Sequence, residues 1–163
     1  MTATITTRVT GAKAIAEGLQ RRQDKTMSAV ERAVKSEALG LVAFIKTQKL
    51  SDQVLKVRSG ALRRSITARF DKQGDETRAY VGTNLKYARS HEYGFNGTVT
   101  VKAHQRMMKT AWGKPVKNPR QIDVRAHAMK MNLKPRPFMG PSLEENREKI
   151  TGNIRKALVE AIR

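Results

Sequence analysis

Histidine, glutamate and serine are the residues through which this chain could do chemistry, and their spacing argues against it. His91-Glu92 opens like a zinc-protease pair. That chemistry needs a second imidazole four residues on, so that both share one helix face, and position 95 is Phe95. His104 and His127 could meet if a hairpin pairs the segments around them, but two imidazoles with no obvious third ligand make a poor metal site. No serine sits in a nucleophile elbow, and no glycine-rich phosphate loop follows a strand. The 14 acidic residues fall mostly in helical segments and in a polar turn at 71–76, so no paired-carboxylate site stands out. The expectation is a protein without catalysis, resident metal or cofactor, whose His104 and His127 are exposed on strands.

Charge points elsewhere. The chain carries 33 Lys and Arg against 14 Asp and Glu, a net +19. No acidic residue lies between Glu92 and Asp123, whereas Lys102, Arg106, Lys109, Lys114, Lys117 and Arg120 do, and Arg125 follows. Such an excess fits a polyanion nearby, or else a solvated surface. Trp112 stands without the interleaved aromatics of a base-stacking platform. Contact with nucleic acid would therefore go to phosphates and carry no sequence information. Equally, the segment could be an arm across a neighbouring subunit, because an extended hairpin of that length cannot bury itself in a small domain. Glu92, the acid at its base, suits a cap or a local ion pair with Arg89, or an ion pair between subunits.

The elements that would position these residues follow from periodicity. At 163 residues the chain suits a single domain, and without cysteine it has no disulfide framework. No apolar run approaches the roughly 20 residues that cross a bilayer, and no signal peptide opens the chain. A soluble protein made in the cytoplasm is expected, with no membrane partner. Residues 2–9 suit an edge strand or arm. Thr10 is placed to cap a helix to about Arg22, and Met27, Val30, Val34, Ala38, Leu41 and Ile45 form the stripe of a second helix, 24–49. The two could be one helix bent near Gln23-Asp24.

Ser59 caps a short helical turn bearing Leu62 and Ile66. Segment 66–83 has the alternation of an antiparallel hairpin with a longer loop around Gly74. A short helix is expected from Tyr87 to Phe95. The runs 98–104 and 121–127, with their echoing tetrads Val101-Lys102-Ala103-His104 and Val124-Arg125-Ala126-His127, predict a long hairpin. After the extended Pro135-Arg136-Pro137-Phe138, Ser142 and Glu145 have the spacing of a capping box. They precede a closing helix whose stripe is Leu143, Arg147, Ile150, Ile154, Leu158 and Ile162.

In order along the chain stand Val57-Arg58-Ser59-Gly60-Ala61-Leu62-Arg63-Arg64-Ser65-Ile66, Tyr80-Val81-Gly82-Thr83, Tyr87-Ala88 with Glu92-Tyr93-Gly94, and Arg136-Pro137-Phe138-Met139 before a final helix. Their combination resembles the tail-component family of long-tailed bacteriophages. These are neck or tail-completion proteins that join head to tail, among them minor tail protein Z. The resemblance covers roughly residues 10–160. It implies an α+β fold, with long helices packed on one face of a small, mainly antiparallel sheet. It implies a structural virion role without catalysis, and rings that meet the head connector on one side and tail tube or terminator proteins on the other. The departure is an extended basic β-hairpin insertion at 96–134, set into a single-domain core of 10–95 and 135–163. A non-specific nucleic-acid-binding protein acting through that insertion is the alternative. Glu92 and the seven cations named above are the candidate contacts to subunits, partners or phage DNA.

Overall fold

A computed structural model describes residues 11–51, 53–55, 57, 59–111 and 114–163. The expected strand at 2–9, the Thr10 cap and Trp112 lie outside the described residues. The elements run α1 (Ala12–Phe44), a π-helical turn (Ile45–Lys49), α2 (Ala61–Ser65), β1 (Thr67–Gln73), β2 (Glu76–Gly82), α3 (Lys86–Tyr93), β3 (Phe95–Val101), β4 (His104–Ala111), β5 (Lys114–Val124), β6 (His127–Leu133) and α4 (Gly140–Ile162). This is an α+β fold. Its sheets are three antiparallel pairs: β1 with β2, β3 with β6, and β4 with β5.

Two compact units share these elements. One takes the chain up to Leu85 together with Phe138–Arg163; the other is Lys86–Pro137. The division starts ten residues before the expected insertion boundary and ends three after it. Helix α3 and Pro135-Arg136-Pro137 thus belong with the hairpin. Their bonding explains why: the Arg136 amide donates to the His91 carbonyl at 2.7 Å.

In the first unit, α1 is one continuous helix, about 50 Å long at 1.5 Å per residue. The 3.6-residue apolar period carries through Gln23-Asp24 without a break. The helix ends in a π turn, where the Leu50 amide donates to the Ile45 carbonyl at 3.0 Å. That turn holds Ile45 and Leu50 inward, 1% and 3% exposed. With Ala38, Leu41, Val42, Leu55, Ile66 and Phe138 they form the buried core. Helix α4 packs antiparallel on α1. Lys49 Nζ donates to Glu145 Oε1 at 2.6 Å, and Asn153 Nδ2 to Glu37 Oε1 at 2.8 Å. The β1–β2 hairpin also packs on α1, and Lys72 Nζ reaches Glu31 Oε2 at 2.8 Å.

Three local expectations are corrected. The β1–β2 loop is a two-residue Gly74-Asp75 turn, shorter than the alternation predicts, with Gly74 at φ +57° supplying the reversal. Ser142 and Glu145 do not form a capping box. Helix α4 starts earlier, at Gly140, with Pro141 in its first turn, where no amide donor is required. Ser142 is buried and donates to the Phe138 carbonyl, while Glu145 takes Lys49. The α4 stripe is also rotated. Its less exposed positions are Ser142, Asn146, Ile150, Ile154, Ala157 and Ala161, whereas Leu143, Leu158 and Ile162 face outward.

Candidate assembly interface

The Lys86–Pro137 unit is a short helix carrying a long antiparallel arm. Gly94 makes the base. It leaves α3 at φ +79°, and a Cβ there would stand 2.8 Å from the Leu133 carbonyl oxygen and 3.1 Å from Pro135 N. Only glycine lets the outgoing and returning strands approach this closely. The stalk β3–β6 then runs in unbroken register from Phe95↔Leu133 to Val101↔His127. Alternation puts Phe95, Val99, Val101, Met129, Met131 and Leu133 on one face. Asn96, Thr98, Thr100, Ala128, Lys130 and Asn132 take the other.

The echoing tetrads meet where the stalk ends. They pair head to tail: Val101 lies opposite His127, and His104 opposite Val124. Antiparallel register therefore places the two histidines at opposite ends of the junction and does not bring them together. Lys102-Ala103 and Arg125-Ala126 between them are unladdered. Each histidine answers this break the same way: His104 Nδ1 lies 2.9 Å from the Lys102 carbonyl oxygen, and His127 Nδ1 lies 2.9 Å from that of Arg125. The sequence echo is thus a two-fold device that ties off carbonyls at the break. Beyond it, β4–β5 continues to Met108↔Arg120. Its register then slips before Thr110↔Pro115, where residues 116–119 face Lys109 alone. The expected hairpin strands 98–104 and 121–127 are each cut by this junction.

Charge is divided at the same place. Among the described stalk residues, Lys130 is the one charged side chain. Lys102, Arg106, Lys109, Lys114, Lys117, Arg120 and Arg125 all lie at the break or beyond it, against Asp123 alone. All seven cations are exposed. Glu92 sits apart from them on α3, half-buried, and takes part in an interaction within the chain.

The first unit presents a different surface. Several of its acids are paired with cations, which outnumber the acids 21 to 12. Glu31 accepts from Lys35 and Lys72, and these hydrogen bonds hold its carboxyl at about 2, below the ordinary 4.5. Arg78 holds the Glu76 carboxyl low in the same way, at 2.7 Å. Apolar side chains nonetheless face out along both helices. Ile15 and Leu19 on α1 are 66% and 62% exposed, and Ile162 on α4 is 65% exposed. Extending the 37–153 pairing places Ile162 near position 28 of α1, so the first turns of α1 run past the end of α4. Both outer edges of the β1–β2 pair carry no further strand among the described residues. Exposed apolar helix faces and open strand edges are what a subunit of a larger assembly covers on joining it.

Residues 3–159 match the model of a phage virion morphogenesis family. The chain belongs to that family. No curated protein and no solved structure matches it. A phage virion morphogenesis protein is a virion-associated component. No helix among the described residues is long and apolar enough to cross a membrane. No group of three or more His, Asp or Glu side chains placed to hold a metal occurs among them.

The fold gathers the seven predicted cations onto one ribbon and leaves Glu92 outside it. Sequence reasoning missed the exposed Ile15, Leu19, Val159 and Ile162, because an apolar stripe at helical spacing looks the same whether its partner lies in the same chain or another. It also missed the charge boundary, although the signal was present: the echoing tetrads mark its position.

Proposed function

We propose that this protein is a tail-completion or head–tail joining component of the phage neck, and that it closes into a ring around the DNA passage. The outward apolar side chains of α1 and α4 carry the reading. In a chain of net charge +19, solubility favours polar side chains at Ile15, Leu19, Val159 and Ile162 unless a neighbour covers them. The open β1–β2 edges give subunits a second place to join. In that assembly the stalk of the arm contacts a neighbouring subunit, the head connector, or the tail tube and its terminator. No step calls for a bond to be made or broken, and the role is structural.

Deleting the gene from the phage tests the assignment. The expected particles are filled heads and separate tails, rejoined when purified protein is added to the lysate. Infectious, fully joined particles without the protein would contradict it.

A further inference from the structure

We propose that the distal half of the arm binds duplex DNA through its phosphates, without reading sequence. The division of the arm carries the inference. From Lys102 to Ala126, seven cations stand against one carboxylate, a net +6; the described stalk residues contribute Lys130 alone. Uniform solubilising charge would not stop at a structural junction. None of the seven forms an ion pair among the described residues, and all are exposed. The register Arg106↔Ile122 and Met108↔Arg120 sets the two arginines on one face of the ribbon. The partner must therefore be anionic.

A second copy is a poor occupant, since each chain carries +19. An acidic protein fits less well than DNA. Protein interface cores are depleted in lysine, whereas four of these seven cations are lysines. Duplex DNA suits the shape as well as the charge. Its major groove admits a two-stranded β-ribbon, and its phosphates reward a cluster of cations by releasing bound counterions. The junction contributes too. Its backbone carbonyls at Lys102 and Arg125 are tied off by His104 and His127, which fixes the backbone where the basic half opens. The inference concerns one arm and does not depend on ring closure.

Fluorescence anisotropy with the full-length protein and two 24-base-pair duplexes of unrelated sequence tests it, across 50–200 mM KCl. Wild type is expected to bind both duplexes equally, with log affinity falling on log salt at a slope of about −4 to −6, near 0.9 per neutralised phosphate. Arg106→Gln/Arg120→Gln should weaken both complexes and make the slope shallower by about 2. Lys130→Gln, on the stalk, should keep the wild-type slope, and circular dichroism should show both variants folded. The proposal is overturned by no binding at 50 mM salt, or by a wild-type slope in the double variant, which would put the contact on the other unit. It is equally overturned if poly-glutamate of matched charge binds more tightly than the duplex, which would make the occupant an acidic protein. Sedimentation run alongside reports the oligomer separately, so failure here and failure of the ring are distinguishable.

Discussion

Substituting Gly94 by alanine should loosen the base of the arm by an amount that the geometry sets. The residue sits at φ +79°, where an L side chain costs about 1–2 kcal/mol. The new methyl would also stand 2.8 Å from the Leu133 carbonyl oxygen and 3.1 Å from Pro135 N. Both atoms are backbone, so rotamer changes cannot relieve the clash. The strands must part by several tenths of an ångström at their first pair, Phe95↔Leu133. Losing one ladder hydrogen bond there adds about 1 kcal/mol. The total is about 2–3 kcal/mol, or about 30- to 150-fold in the opening equilibrium. Hydrogen exchange of the β3–β6 amides reads that factor directly. Gly152→Ala is the control. It lies in α4 with nothing within 4 Å of the added Cβ, so alanine there should stabilise by up to about 1 kcal/mol. If Gly94→Ala leaves β3–β6 protection unchanged, or behaves like Gly152→Ala, the account of the base is wrong.

Two further changes probe the first unit. Phe138 is fully buried, so Phe138→Ala should cost about 3–5 kcal/mol; an unaltered denaturant midpoint would mean the core lies elsewhere. Glu31 tests the charge account through pH. Hydrogen bonds from Lys35 and Lys72 depress its folded-state value to about 2. Its stabilising share is therefore complete above the ordinary 4.5 and is lost as pH falls towards 2. Between those limits the melting temperature of wild type should fall more steeply than that of Glu31→Gln; parallel curves would count against the ion-pair network.

The parts of the fold legible in sequence were those where one period or one residue type decides. Strand alternation located the β1–β2 and arm hairpins, and the stripe through Ile45 located α1. Of the apolar residues in the ordered motifs that suit a core, Ile66, Ala88 and Phe138 are buried, whereas Leu62 is only half-buried. What failed were choices that tertiary packing makes. Ser142-x-x-Glu145 has cap spacing, but Phe138 draws Ser142 inside and Lys49 takes Glu145, so α4 begins three residues earlier. The α4 stripe had two adjacent solutions, and the one through Ala157 and Ala161 faces inward, leaving Leu158 and Ile162 out. The basic segment was legible as a candidate contact surface from charge alone. Its junction was visible only as an echo, because the pairing of Val101 with His127 and His104 with Val124 is a long-range fact.

The mass of the purified protein across a concentration series tests the central claim most directly. Sedimentation or native mass spectrometry should show one discrete closed species, a small whole multiple of 18.3 kDa, gaining population as concentration rises. Replacing Ile15 and Leu19 by serine should shift that equilibrium towards monomer. A monomer at every concentration would contradict the account, as would an open-ended polymer with no preferred size.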